Sequence, residues 1–374
     1  MKILHLTYWY PTEKQPLKGV FIKKHIHAAH KAGCNVHVLN LSIEHASVFF
    51  EKSTRFFTDE AGVPVTQILV KSRFYKWLHL LLFLHKKWIV LEFHKLHAKQ
   101  HFTLLHGHVL YPAAIWTHHL SRISGIPYIL TEHWSKLDRF FSKSLFAKQG
   151  KKAFENARCI TAVSSFLSEM IQKHANVQQM HIIGNVLNDA VFHFREKNLA
   201  PEEISFTAVA HWYPPKRPDL IFNSLQILAE RHRDKIIILN MIGEGPLLES
   251  LKHENRNFTI HYLGQKTASE ISSLLAKSNY FLHASETETF SVVIAEALAT
   301  GTPVLASRRG AIPDLIIPEC GELADNKIDC WIEGLEKLIS RKFQHQKIAE
   351  SVLKFRESEI GLQLKKLYEE TAAH

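Results

Sequence analysis

What this 374-residue chain lacks narrows its roles before any motif is read. Its longest apolar stretch, Trp77 to Leu84, spans eight residues and contains His79, whereas a bilayer-spanning helix needs about 20. The apolar run after Met1 breaks off at Tyr10 and Pro11, too early for a secretory signal, so secretion is not expected. Cysteine is scarce. Cys34, Cys159, Cys320 and Cys330 are scattered, with no Cys-x-x-Cys pair and no histidines at zinc spacing. Buried, reduced thiols in a cytoplasmic protein are the expectation. No Gly-x-Gly-x-x-Gly follows the first apolar strand, which argues against a dinucleotide-dependent oxidoreductase; Gly243 and Gly245 alone are a weak signal. Aromatic RNA-binding signatures, zinc fingers, internal repeats and low-complexity tracts are missing too, and with them the case for binding nucleic acid.

What is present is ordinary for a globular protein: 46% hydrophobic and 22% charged residues, over a length that suits two domains. The net charge of +10 is unevenly placed. Residues 1–188 hold 24 Lys and Arg against 10 Asp and Glu, while residues 189–374 hold 22 against 26. A first half at +14 is expected to meet an anionic surface or substrate.

Short β-rich runs alternate with helical spacing along both halves. Ile3–Trp9, Asn35–Leu41, Val65–Val70, Leu104–Leu110, Pro127–Thr131, Cys159–Val163 and His181–Asn185 read as strands. Gly19–Ala32, Arg73–Lys99, Ala113–Ser124 and Ser164–His174 read as helices between them. Several strands are continuously apolar, as in a parallel sheet buried on both faces. After the polar stretch Asn188–Glu203 the rhythm restarts. Strands are expected at Ser205–His211, Lys235–Ile242, Phe258–Leu263, Tyr280–Ala284 and Pro303–Ser307. Helices are expected at Pro215–Arg231, Pro246–Lys252, Ala268–Ala276 and Phe290–Thr300. The pattern predicts an α/β protein of two Rossmann-like domains, 1–188 and 189–356, with a cleft between them. The helix in 357–374 is free to pack back on either domain, the N-terminal one included.

The most informative segment runs from Ser285 to Val304: strand end, polar turn, helix, glycine stop, strand. On one continuous helix starting at Glu288, Glu296 would lie ~12 Å further along the axis and ~80° around it. That is the reach from the sugar to the ribose of a nucleotide-diphosphate sugar. The free N–H groups around Thr289, Phe290 and Ser291 would face a diphosphate. A carboxylate that merely caps the helix, with a second one in solvent, fits the same spacing.

Glu288-x7-Glu296, followed by Ala297-Leu298-Ala299-Thr300-Gly301-Thr302-Pro303-Val304, resembles the signature of family-4 glycosyltransferases. The likeness extends to Gly243-Glu244-Gly245-Pro246, Val209 to Lys216, Ile183-Gly184-Asn185-Val186, Thr131-Glu132-His133 and Ala162-Val163-Ser164. The resemblance implies the GT-B architecture and retaining transfer of a hexose-type sugar from a nucleotide-diphosphate sugar, a UDP-sugar favoured, with neither metal nor cofactor. Glu288 would hold sugar hydroxyls, Glu296 the ribose, and Lys216 the diphosphate. Gly19 and Gly243 would let backbone approach the donor, and His133 would contact sugar or acceptor; Asn185 reads as a hinge-turn residue. His211 stands where the family usually has arginine, so Arg217 or Arg308 would supply the second cation, or donor binding becomes pH-sensitive. No Asp-x-Asp motif for a metal-held diphosphate occurs, in keeping with that reading.

A catalytically impaired sugar-nucleotide-binding relative is the alternative. The acceptor expected is a glycan or a polyprenyl- or other lipid-linked intermediate of cell-surface polysaccharide or glycolipid synthesis. Arg73–Lys99 reads equally as a basic amphipathic helix on an anionic inner leaflet or as a core helix with solvated lysines. His106-x-His108, His118-His119 and His94-x2-His97-x3-His101 read as core or solvated histidines and not as a metal site.

Overall fold

Continuous apolar runs become strands buried on both faces. A computed structural model describes residues 1–78, 81–197, 202–252 and 257–372, and divides them into two units: 1–186 with the segment from Glu357, and 187–356. The sequence expectations for Asn198–Pro201 and for His79 and Leu80 lie outside the described residues.

In chain order the first unit comprises β1 (Lys2–Thr7), α1 (Val20–Lys31), β2 (Asn35–His45), β3 (Glu51–Thr58), β4 (Pro64–Ser72), α2 (Tyr75–Leu78), α3 (Leu82–Gln100), β5 (Leu104–His108), α4 (Ile115–Ser124), β6 (Tyr128–Glu132), α5 (Leu137–Lys143), α6 (Ala147–Glu155), β7 (Cys159–Ala162), α7 (Ser165–His174) and β8 (Met180–Ile182). Its sheet runs β3-β4-β2-β1-β5-β6-β7-β8, parallel except for β3, which pairs antiparallel with β4 at the edge. The second unit comprises β9 (Glu203–Val209), α8 (Pro218–Arg231), β10 (Ile236–Ile242), α9 (Pro246–Glu249), β11 (Thr259–Gly264), α10 (Ala268–Lys277), β12 (Tyr280–His283), α11 (Val292–Ala299), β13 (Val304–Ser307), β14 (Gly321–Ala324), α12 (Ile328–Ser340) and α13 (His345–Glu350). Its parallel sheet, β11-β10-β9-β12-β13-β14, has the doubly wound order. α14 (Glu357–Ala372) returns to the first unit.

Three expectations need correction. Glu51–Thr58 is a strand that polar alternation hid, because an edge strand exposes both faces. Arg73–Lys99 is not one continuous helix, and of its two readings α3 fits the core one. α2 is a single turn, and α3 spends its apolar side, Leu82, Trp88, Ile89, Phe93 and Leu96, on the core. The glutamate-pair helix begins at Val292, so Glu288 precedes it on a loop and the one-helix spacing does not apply. The strand at β14 and the helices α5, α6, α12 and α13 had no counterpart in the expectations. α12 is nonetheless amphipathic, burying Trp331, Ile332, Leu335 and Leu338.

α14 packs on α1 where Gly361 has no side chain. A Cβ there would stand 2.4 Å from the Ala28 carbonyl oxygen and 3.2 Å from the Ala32 Cβ. Lys31 and Glu357 pair at 2.6 Å, and the Tyr368 hydroxyl meets His106 Nδ1 at 2.9 Å. In an open helix Gly→Ala stabilises by up to about 1 kcal/mol. Here overpacking against backbone costs about 1–3 kcal/mol and wins. Thermal unfolding of Gly361→Ala should therefore show a lowered midpoint, whereas a raised one would mean that α14 is not seated on α1.

Candidate functional site

In a doubly wound sheet, ligands bind beyond the carboxyl ends of the strands where the winding reverses. In the second unit that point lies between β9 and β12, and the sequence motifs converge there. The loops leaving the two strands are stitched together. Lys216 bridges Ser285, Arg217 N donates to the Ala284 carbonyl at 3.0 Å, and Glu286 N donates to the Pro215 carbonyl at 2.9 Å. The stitch brings Lys216 onto Glu288 as a mostly buried ion pair. His283, the last residue of β12, completes the group, with Nε2 3.0 Å from Glu288 Oε1, 3.3 Å from Lys216 Nζ and 3.4 Å from Ser291 Oγ.

Burial alone would raise the Glu288 carboxyl. The His283 hydrogen bond and the Lys216 charge outweigh it and hold the group at about 2. Burial, then the Lys216 charge, lowers His283 against the pull of Glu288. A neutral ring nitrogen either donates to Glu288 or accepts from Lys216, so His283 serves one of them at a time.

Ser291 enters α11 in the left-handed region, φ 71°, and its own side chain makes no capping bond to the helix start. The N–H groups at the start of α11 thus lack an N-cap acceptor, beside Glu288, Thr289 and Phe290. Glu296 lies within α11, half-buried.

Two glycines shape the loops. Gly243 has φ +98°, and a Cβ would stand 1.9 Å from the Ala210 carbonyl oxygen, so the β10 turn lies directly against the β9 loop. Gly310 has φ +55°, and a Cβ would stand 2.3 Å from the Glu288 carbonyl oxygen; Ala311 N donates to that oxygen at 2.9 Å. Gly310 and His283 were missed in the sequence. His283 had a signal, a polar residue ending an apolar parallel strand, whereas nothing local marks Gly310.

The second cation falls out differently from expectation. Arg217 is already neutralised, its guanidinium bonded to Asp219 at 2.7 and 2.8 Å and to Glu286 at 2.6 Å. Arg308 donates to the Leu323 carbonyl at 3.2 Å. His211 is exposed next to the buried Trp212.

In the first unit the site residues gather at the carboxyl ends of β1, β5 and β6. Gly19 starts α1 with φ 71°, where a Cβ would stand 2.2 Å from the Trp9 carbonyl oxygen. His133 is buried beside α1, its ring centroid 4.7 Å from Phe21 and 5.2 Å from His25. Neither of its ring nitrogens has a hydrogen-bond partner of good geometry among the described residues. Asn185 faces it and favours the charged ring.

What fixes His133 is Glu132, 1% exposed, whose carboxylate accepts from Leu110 N at 2.7 Å and from His133 N and Trp134 N at 2.9 Å each. Burial pushes this carboxyl up to about 7, against the three N–H groups that favour the anion. The clamp also steadies the turn after β5, where Val109 sits at φ 70°, an uncommon conformation for a β-branched residue.

Behind His133 the histidines form a network. His5 Nδ1 meets His108 Nε2 at 2.9 Å, and His106 is held by Tyr368 at 2.9 Å and by Thr131 at 2.7 Å. Among the described residues His5, His106 and His108 are the group whose composition suits a metal. Both His106 nitrogens are committed to hydroxyls, and the other two rings bond to each other through one nitrogen each, His5 Nε2 and His108 Nδ1 having no partner among the described residues.

Two measurements test these arrangements. Burial takes His5 down to about 3 and His25 to about 4, and His106, His108 and His133 well below 6.5. The folded state therefore refuses protons that the unfolded state takes up. The stability these groups contribute is present above pH 6.5 and is lost as pH falls from there, by roughly 1.4 kcal/mol per histidine per pH unit. Hydrogen exchange followed against pH should show the first unit opening before the second, and His25→Gln should make that slope shallower by one proton. In the second unit, Lys216→Met should cost about 1–3 kcal/mol, less than a fully buried pair because the site is partly wet. Adding Glu288→Gln should recover most of that in denaturant titrations; additive losses would mean that the pair is not coupled.

The family model described as Glycosyl transferases group 1 matches residues 189–355, and that described as Glycosyltransferase Family 4 matches residues 19–191. The chain is 24% identical over 249 residues to the GDP-mannose-dependent alpha-(1-6)-phosphatidylinositol dimannoside mannosyltransferase of Mycobacterium tuberculosis, covering 60% of this chain and 62% of that protein. An uncharacterized glycosyltransferase of Methanocaldococcus jannaschii is 24% identical over 219 residues, covering 57% and 58%. These matches span about three fifths of the curated relatives' length. Among solved structures, sucrose-phosphate synthase from Thermosynechococcus elongatus superposes with a TM-score of 0.72 at 17% identity over 100% of both chains. Anabaena HepE in complex with UDP and glucose does so with 0.67 at 16% identity over 99% and 100%. At such identities the likeness is one of fold. Two family models running consecutively over residues 19–355, on a fold shared with these enzymes, place the chain in glycosyltransferase family 4, with the GT-B fold of two Rossmann-like units.

Proposed function

We propose that the chain is a retaining, metal-independent hexosyltransferase. It would move a sugar from a nucleotide-diphosphate sugar, a UDP-sugar favoured, to a glycan or lipid-linked acceptor of cell-surface polysaccharide or glycolipid synthesis. The observation that carries this reading is the Lys216–Glu288–His283 group at the switch point, beside the uncapped start of α11.

In this reading Glu288 accepts hydrogen bonds from hydroxyls of the transferred sugar, which an anion held at about 2 does throughout the physiological range. Lys216 leaves its carboxylate partner to share the diphosphate, whose charge grows as the sugar departs. With the N–H groups at Thr289, Phe290 and Ser291 it supplies the electrostatic stabilisation that a metal gives elsewhere. Glu296 takes the ribose hydroxyls, and Gly243 lets backbone close on the donor. Gly19 and His133 in the first unit would serve phosphate and acceptor, with Glu132 fixing His133. The leaving phosphate takes the acceptor proton on the same face of the sugar, so no separate base is required. The enzyme would act in the cytoplasm, at the inner leaflet when its acceptor is lipid-linked.

A donor-binding protein without transfer activity is the second reading. The neutralised Arg217 favours it, because its charge is taken up by Asp219 and Glu286 instead of joining Lys216.

Calorimetric titration with UDP, GDP and ADP on the wild type and Glu296→Ala tests donor binding. One nucleotide should bind, and the variant should lose affinity by roughly tenfold or more, about one charge-assisted hydrogen bond. With the matching sugar donor, Lys216→Ala should lower kcat on the order of a hundredfold. Binding of no nucleotide would sink the proposal, and nucleotide binding without turnover would install the second reading.

A further inference from the structure

Four exposed aromatic side chains of the first unit gather on two adjoining turns; Phe56 and Phe57 on β3 and Phe83 on α3 are exposed as well. Phe49 and Phe50 lie on the turn between β2 and β3, exposed to 70% and 45%; Phe74 and Trp77 lie between β4 and the end of α2, exposed to 42% and 71%. Polar bonds lock the turns together. Arg73 N donates to the Val48 carbonyl at 2.8 Å, and Ser72 Oγ donates to the Phe49 carbonyl at 2.5 Å. The Phe49 and Phe74 rings meet at 5.4 Å, and the Arg73 guanidinium lies 5.5 and 4.9 Å from their centroids. Phe50 reaches Trp88 at 6.0 Å, which anchors the turns to the core helix α3. Rings held in water by such a framework are costly unless something covers them.

We propose that this aromatic apron inserts into the head-group region of an anionic lipid bilayer. Charge selects the occupant. Arg73 lies against the Phe49 and Phe74 rings, Lys76 shares the second turn with Phe74 and Trp77, and Lys52 follows Phe50 and Glu51 into β3, so cations outnumber carboxylates along the two turns, in a half of the chain at +14. Phenylalanine and tryptophan interleaved with cations suit a membrane interface. A second copy of the chain would set like charge against like charge. β2 and β4 run parallel to β1, and β6 runs parallel to them through β5, so the apron lies at the end of the sheet that carries Gly19 and His133. An acceptor head group in that bilayer would arrive at the end where the site stands. The inference deepens the proposed function by naming the surface that reaches a lipid-linked acceptor, and to that extent it rests on that reading.

Flotation with phosphatidylcholine vesicles, with and without phosphatidylglycerol, tests the docking directly. The wild type should float with the anionic vesicles. Phe49→Ser with Trp77→Ser should lower the partition coefficient by roughly tenfold or more, since binding scales with inserted apolar area. Arg73→Gln with Lys76→Gln should lower it about fivefold for each cation. Lys95→Gln with Lys99→Gln on the exposed side of α3 should stay within about twofold, as cations remote from the contact are screened. Brominated acyl chains should quench wild-type tryptophan emission more than that of Trp77→Phe, a readout that does not depend on the folding of the serine variants. The proposal is overturned if the wild type stays unbound, if the α3 variant loses as much as the apron variants, or if Trp77→Phe leaves quenching unchanged. A concentration-dependent dimer dissolved by Phe49→Ser and Trp77→Ser would overturn it in favour of a second copy. Flotation without nucleotide binding would sink the transferase reading and leave the docking; nucleotide binding without flotation would do the reverse.

Discussion

A carboxylate that stays charged while nearly out of water is the constraint around which the second unit is arranged. Burial would neutralise Glu288, and a neutral acid gives part of its accepting capacity to its own proton. Lys216 and His283 reverse that balance, and each is present because a strand ends where it does: His283 closes β12, and Lys216 follows β9. The stitch between the two loops keeps cation and anion together. Gly310 lets the third loop come close enough to hold the Glu288 backbone. The left-handed Ser291 then turns the chain into α11 without a side-chain cap. Helix start, anion and cation thus answer to one local problem, the solvation of a single carboxylate.

The first unit solves a related problem by different means. Among the described residues Glu132 has no cationic partner; backbone N–H groups from two turns converge on it. Such a carboxylate acts as mortar, tying the β6 turn with His133 to the β5 turn with Val109. Histidines fill the space behind it because the imidazoles remain uncharged when buried. They act as compact polar wedges between β1, β5 and α14.

The parallel sheets, and the motifs at their carboxyl ends, were readable in the sequence because buried strands and the Glu288–Glu296 segment leave local patterns. What was not readable depends on neighbours distant in sequence. Edge strand β3 is polar because water takes the place of a partner strand. Arg217 looked like a free cation until the fold delivered Glu286 to it. The start of α11 could not be placed, since Ser291 adopts a backbone conformation that its residue type does not announce. In Arg73–Lys99 the apolar spacing was correctly helical, yet spacing does not say whether core or lipid receives it.

α14 comes from the far end of the chain, yet it seals α1 through Gly361 and the histidine layer through Tyr368. The first unit is thus discontinuous, and the second is an insertion within it. During synthesis, β1 through β8 emerge from the ribosome long before the helix that closes over them. The whole of residues 187–356 is available to fold in the interval. The N-terminal half therefore spends its first moments with the α1 face and the imidazole layer uncovered. Residues that follow the whole of the second unit turn this half from a nascent intermediate into a finished domain.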